Sequence, residues 1–214
     1  MQITRFGHAA LLVEHEDQRV LIDPGSFSRD ETFSLTDLDA IIVTHQHADH
    51  VDPNRIGALV AANPRARLLA EPQTATALEQ FGAWHETASG MTVDLGALSV
   101  TGVGSRHAVI HPDMPGIGNV GVLVEAGGTR LFHPGDSYES VPDNVDVLAV
   151  PLSAPWAKVS ETVDFVRAVA PRVVLPIHDC TISDLAYPIY WGRVSEMGGA
   201  DEALLLGQDG SATL

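Results

Sequence analysis

Residues 45 to 50 read His-Gln-His-Ala-Asp-His, so three imidazoles and one carboxylate fall within six positions. They follow directly on an apolar run that has the composition of a buried strand. In an extended segment side chains i and i+2 point the same way, so His45 and His47 can converge on one ion. Asp49 and His50 follow where the chain leaves the strand, and they can face a second ion nearby. Helical H-E-x-x-H sites differ, because there the ligands stand four residues apart. Imidazole with carboxylate is a borderline-to-hard ligand set that suits Zn²⁺, and also Mn²⁺, Fe or Ni. Taken alone, the same six residues would also make a solvated polar loop.

The elements that must position these groups are mostly short strands. Runs with β-type composition are Gln2–Phe6, Ala10–Glu14, Val20–Asp23, Ala40–Thr44, Arg67–Leu69, Leu98–Val103, Val120–Glu125, Arg130–His133, Val147–Pro151, Val173–Pro176 and Ala203–Leu206. Several are bounded by Gly, Pro, Asp or Asn, which is turn chemistry. Gly127–Gly128 can take the positive φ angles of a tight hairpin. Helices are fewer. One is expected after Asp52, with Asp52 as N-cap and Pro53 at the first helical position, ending before Pro64. A second is expected in the stretch ending at Gly82, and a third from Ser160 to Pro171 with Val163, Val166 and Val169 on one face. Strands with helices between them imply a layered α/β or α+β domain spanning residues 1–214.

The T-H-x-H-x-D-H motif of residues 44–50 resembles that of the metallo-β-lactamase superfamily. The segments FGHAALLVE, RVLIDPG, NVGVLVEAGGTRLFHPGDS and RVVLPIHDCT follow in the order of its branch of ascorbate-6-phosphate-lactonase-like and other small metal-dependent hydrolases. The resemblance implies an αββα sandwich with the metals at the sheet edge. Carried over by position, it implies that His45, His47 and His107 hold one metal and Asp49, His50 and His178 the other, with Asp136 bridging. Either His107 or His111 can reach the site, and His107 is preferred because it ends the strand-like run from Leu98.

The implied chemistry is hydrolysis by a water whose pKa two ions, most simply Zn²⁺, draw down towards about 7. Asp136 would orient that nucleophile, and Asp49 or His8 would handle a proton. Asp23 and Thr44 are expected to orient ligands from behind. His8 reads equally as a buried histidine bonded to backbone, while His133 is expected to pack or hydrogen-bond and Cys180 to be a partly buried thiol. For substrate, Arg106 is the candidate for holding an anionic group. Trp156 and Tyr187, with Tyr190 and Trp191 near them, are candidates for a pocket wall. The loop HPDMPGIGN has the composition of a rim over the metals.

Composition narrows the partners. A formal charge of −16 repels phosphate backbones and argues against nucleic acid, which leaves a small-molecule substrate. No apolar stretch approaches the roughly 18–20 residues of a membrane span. A single cysteine fits a reducing compartment, so a cytoplasmic location is expected. The N-terminus reads as a first strand and not as a signal peptide. A homo-oligomer accords with the resemblance. The competing readings are a di-iron redox protein of the same fold, in which a glutamate usually stands where this chain has His47, and a noncatalytic metal-binding module.

Overall fold

In the computed structural model, which describes residues 1–214, the apolar runs form two seven-stranded sheets. The first holds β1 (Gln2–Arg5), β2 (Leu11–His15), β3 (Gln18–Ile22), β4 (Ala40–Val43), β5 (Arg67–Ala70) and β6 (Trp84–Glu86), side by side in chain order. The second holds β7 (Thr92–Asp94), β8 (Leu98–Val103), β9 (Gly121–Ala126), β10 (Thr129–His133), β11 (Val147–Pro151), β12 (Val173–Ile177) and β13 (Glu202–Ala203). The chain then returns to the first sheet, where β14 (Ser211–Thr213) pairs antiparallel with β1. Tight turns give the antiparallel pairs, such as β9–β10 through Gly127 and Gly128, both at positive φ. Longer crossovers give two parallel blocks, β3 to β6 and β10 to β13.

Strands that are buried on both faces need apolar residues throughout, and β4, β11 and β12 have them. Their inward residues interdigitate between the sheets, where Ile3, Leu11 and Ile42 meet Val122, Val124 and Leu175. The outer face of the first sheet is covered by α1 (Ile56–Ala62) and α2 (Pro72–Leu78), through Ile56, Leu59 and Leu78. The outer face of the second is covered by α3 (Val159–Val169) and α4 (Tyr187–Met197), through Phe165, Val166, Trp191 and Val194. The result is the αββα sandwich that the resemblance implies. Each fully buried aliphatic side chain contributes about 1.5–3 kcal/mol, so three stacked apolar layers hold the strand ends rigidly. No helix is long and apolar enough to cross a membrane.

The structure corrects several expectations. α1 begins at Ile56 and not at Pro53, because Asp52 instead closes a turn by accepting from the Asn54 N–H at 2.8 Å and from Arg55 Nε at 2.6 Å. The Ala203–Leu206 run stays on the sheet only as far as Leu204, whose N–H donates to the Val174 carbonyl at 2.8 Å, before the chain turns through the Leu206 N–H to Leu204 carbonyl bond. α4 was not expected. Pro188 falls in its first turn, where a missing N–H costs nothing, and its Trp191 belongs to the core under α3 instead of a pocket wall.

One polar interaction crosses the whole fold. Arg5 is 1% exposed on β1; it donates to Asp179 Oδ1 at 2.8 Å and to the Leu206 carbonyl at 2.6 Å. Asp179 also accepts from Tyr187 Oη at 3.0 Å and from Gln208 Nε2 at 3.1 Å. The cluster ties β1, the end of β12, the start of α4 and the C-terminal loop to one carboxylate, one residue beyond His178. Arg5→Ala would leave Asp179 as a buried charge without its cation, and should lower stability by about 3–5 kcal/mol. Urea unfolding followed by circular dichroism measures this, and an unchanged midpoint would show the pair to be dispensable.

Candidate metal centre

Every residue of the site sits at or just beyond a strand end on one rim of the sandwich. Asp23 follows β3, the His45–His50 loop follows β4, His107 lies beyond β8, Asp136 beyond β10, and His178 directly follows β12. Rims of parallel strands are where an α/β sheet opens a crevice for loops to supply chemistry. Two glycines let these loops approach. A Cβ at Gly25 would lie 1.7 Å from the Asp49 carbonyl oxygen, so the loop carrying Asp49 and His50 packs directly on the backbone there. Gly135 has φ +62°, and a Cβ there would strike Asn119 Oδ1 at 2.2 Å. That asparagine accepts the Asp136 N–H at 2.9 Å and donates to the Pro134 carbonyl at 2.9 Å, which fixes the turn presenting Asp136.

The side chains converge in two adjacent clusters. His45, His47, His107 and Asp136 form one, and His8, Asp49, His50 and His178 form the other; within each, the potential ligand atoms all lie within 4.8 Å of one another. Asp136 faces both clusters. Its Oδ1 lies 3.0 Å from His50 Nε2, and its Oδ2 lies 3.2 Å from His178 Nε2 and 3.5 Å from His107 Nε2.

The hydrogen bonds behind the rings test whether these residues suit cations. His50 Nδ1 donates to Asp23 at 2.7 Å, His107 Nδ1 to the Ala108 carbonyl at 2.6 Å and His178 Nδ1 to the Ser153 carbonyl at 2.6 Å. Thr44 Oγ1 donates to Asp23 at 2.7 Å and therefore accepts from His45 Nδ1 at 3.1 Å. All four rings thus carry a proton on Nδ1 and aim Nε2 inward. The Nε2 atoms of His45, His50, His107 and His178, and Oδ1 of Asp136, are buried without a hydrogen-bond partner. A buried polar atom without a partner is costly, and five converging lone-pair atoms are answered most directly by cations. The residues present fit a pair of divalent ions.

The electrostatics agree. Burial, with the neighbouring His50, holds His45 well below the ordinary histidine pKa, which favours its neutral form. Burial and His107 lower His47 too. Burial opposes charge on Asp136, yet His50 and His178 hold its carboxyl well below the usual range. Burial likewise opposes charge on His178 and His50, and is outweighed. Asp136 and Asp49 push His178 up to about 9, and Asp136 and Asp23 push His50 well up. Both shifts have one cause, the carboxylate charge gathered around these two rings.

His8 is fully buried at φ +43° inside the second cluster. Its Nδ1 accepts the Cys180 N–H at 3.4 Å, so its proton sits on Nε2 and is donated to Asp49 Oδ2 at 3.3 Å. Burial drops its pKa to about 4, so it is a neutral donor that holds Asp49 in place. Asp23 meets its expectation with more reach than expected, because through Thr44 and His50 it orients one ring in each cluster. His107, not His111, joins the site; His111 is exposed and lies 3.7 Å from Asp113. His133 is buried, donates from Nε2 to the Ala9 carbonyl at 2.9 Å and accepts from the Gly135 N–H at 3.2 Å, so it buttresses the loop of Asp136.

The substrate candidates separate. Arg106 and Trp156 line a cleft of about 910 Å³ that opens beside His107, between Val109 and the start of α3. Tyr187 is a correction: its hydroxyl is committed to Asp179, and it borders a separate depression with Arg5 and Leu206. Cys180 lies at the surface, with Sγ 3.3 Å from Gln208 Oε1, and partial burial raises its thiol pKa. The loop from His107 to Ile117 closes on itself through the His107 N–H to Ile117 carbonyl bond of 3.1 Å, and borders a recess beside His47. Missed by sequence reading were Asn119, which turns out Asp136, and the bond from Trp156 Nε1 to Asp136 Oδ2 at 2.9 Å.

Residues 2–178 match the Beta-lactamase superfamily domain, and the chain belongs to that superfamily. Protein Rv0786c of Mycobacterium tuberculosis is 45% identical over 96% of both chains. A protein of Nanoarchaeum equitans named UPF0173 metal-dependent hydrolase is 26% identical over 98% of both. Among solved structures, Igni18, a metallo hydrolase from Ignicoccus hospitalis, superposes with a TM-score of 0.74 at 18% identity, covering 99% of this chain and 97% of that one.

Asp23 is fully buried, accepts from Thr44 N at 2.8 Å, and also takes the Thr44 hydroxyl and the His50 ring. Asp23→Ala would strand all three donors. It should cost about 3–5 kcal/mol, by analogy with breaking other buried charged networks, and loosen metal retention as well. Denaturant unfolding with and without added Zn²⁺ checks both; loss of neither would remove Asp23 from its organising role.

Proposed function

We propose that this chain is a metal-dependent hydrolase that uses two divalent cations, most simply Zn²⁺, to cleave an ester-type bond of a small metabolite. The observation that carries the reading is the pair of adjacent clusters, with four imidazole Nε2 atoms and one Asp136 oxygen converging without partners. The relatives named as metal-dependent hydrolases support the reaction class. In this reading His45, His47 and His107 hold one cation, Asp49, His50 and His178 hold the other, and Asp136 serves both. Bound there, the cations would supply a water acidified towards about pH 7 and a Lewis acid for the substrate's carbonyl or phosphoryl oxygen.

The chain's own groups do the rest. Asp136 orients the attacking water from between the clusters. Asp49 is the more exposed of the two carboxylates in the clusters, its side chain 25% exposed against 4% for Asp136. It is therefore the group placed to take or return a proton at its free oxygen, while His8 Nε2–H steadies the other. Arg106 stands at the cleft wall with no ion-pair partner and can hold a carboxylate or phosphate of the substrate, whose apolar part would lie against Val109 and Trp156.

The test is a hydrolase screen of carboxylic esters, lactones, thioesters and phosphodiesters on Zn²⁺-loaded protein, with Asp136→Ala as comparison. Turnover of at least one class is expected, falling on the order of 10³-fold or more in the variant, as for single members of catalytic units. Equal turnover by Asp136→Ala would refute the assignment of that residue. No turnover of any class would refute the hydrolase reading.

A further inference from the structure

We propose that Trp156 is a positioning residue for the metal pair: its indole N–H pins the Asp136 carboxylate in the orientation that lets it face both clusters. The inference rests on reading Asp136 as the shared ligand. Rotation of a carboxylate about its last bond is soft, so neither the fold nor the rotamer preference fixes where its two oxygens point. The main chain of Asp136 is held, by Asn119 at its N–H and by the Ala108 N–H at its carbonyl at 2.8 Å. The side chain is not held in that way. Its one donor with hydrogen-bond geometry is Trp156 Nε1, at 2.9 Å from Oδ2. This is the oxygen that lies 3.2 Å from His178 Nε2 in one cluster and 3.5 Å from His107 Nε2 in the other. With Oδ2 fixed there, Oδ1 is left facing His50.

The indole is itself held from behind. Its ring stands edge-on to Tyr138, with centroids 4.9 Å apart at 71°. Tyr138 stacks on Phe165 of α3 at 4.8 Å, and its hydroxyl donates to the Pro151 carbonyl at 2.6 Å. Trp156 is thus the last member of a packed column running from α3 and the end of β11, not a loose flap over the cleft. Its chemistry suits the task. An indole N–H only donates and has no lone pair to offer a cation. It is also neutral, so it orients the carboxylate without competing for its charge as an arginine or lysine would.

Trp156→Phe keeps a ring against Tyr138 and His107 and removes the donor. Protein loaded with Zn²⁺ would be titrated with a chelator and the released metal measured. Partners behind a ligand typically set metal affinity by about 10–100-fold, and a weakening of that size is expected in the variant. The thermal unfolding of the metal-stripped protein should change little, because packing is retained. Retention within twofold of the parent would overturn the proposal. A role in packing alone would move the metal-free unfolding temperature and leave the chelator curve in place.

A measurement on the parent chain stands should the variant fold poorly. The indole ¹H–¹⁵N signals would be followed as Zn²⁺ is added, with Trp84→Phe and Trp191→Phe used to assign them. The Trp156 signal should shift most, and a signal that stays put would overturn the proposal. A parent protein that takes up no Zn²⁺ refutes the ligand reading itself, whereas a parent that binds and a variant that binds equally refute only the role of Trp156.

Discussion

The buried carboxylate of Asp136 constrains the rest of the site, because a charge 3% exposed at the meeting of two strand-end loops must be balanced by something. Around it stand one indole N–H, from Trp156, and a ring of imidazoles, four of which spend their Nδ1 protons on acceptors outside the centre. What remains inside is a set of lone pairs and negative charge, an arrangement that favours protons or metal cations. The fold around it serves to keep that arrangement from relaxing. Asp23, Thr44, Asn119, Gly25 and Gly135 each fix a backbone or ring orientation that would otherwise drift.

Two tethers act on opposite sides of the centre. Behind the first sheet's loops, Asp23 joins one ring of each cluster through a chain of short bonds from His45 through Thr44 to His50. Behind the second sheet's loops, the ion pair of Arg5 and Asp179 holds the chain just past His178 against β1 and the C-terminal loop. The two sheets meet across the site through backbone bonds as well, such as the Val120 N–H to the Thr44 carbonyl at 2.9 Å and the His178 N–H to the His8 carbonyl at 3.0 Å. These cross-links let side chains from widely separated parts of the chain hold a common geometry.

Much of this was legible in the sequence wherever the signal was local. The spacing His45, His47, Asp49, His50 expresses a strand end, and the apolar runs of β4, β8 and β11 gave their boundaries to within a residue. Asp23 was visible as a carboxylate closing an apolar strand. Arg5 also left a trace, since strand alternation puts it on the same inward face as Ile3, a place for a cation only if a partner waits there. What could not be read were contacts between side chains on distant loops. The bond from Trp156 to Asp136 and the one from Tyr187 to Asp179 leave no pattern along the chain, so two aromatics that looked alike proved to have different tasks. α4 was hidden because Pro188, Gly192 and a run of aromatics mask a helix whose order comes from packing on α3.

The central claim is that these clusters hold a pair of divalent cations shared by Asp136. Elemental analysis of protein purified from metal-supplemented medium, alongside an Asp136→Ala variant, addresses it directly. The account predicts about two ions per chain in the parent, as expected for a two-metal site, with clearly reduced occupancy in the variant. A parent that carries no divalent metal, or a variant that keeps full occupancy, would contradict it.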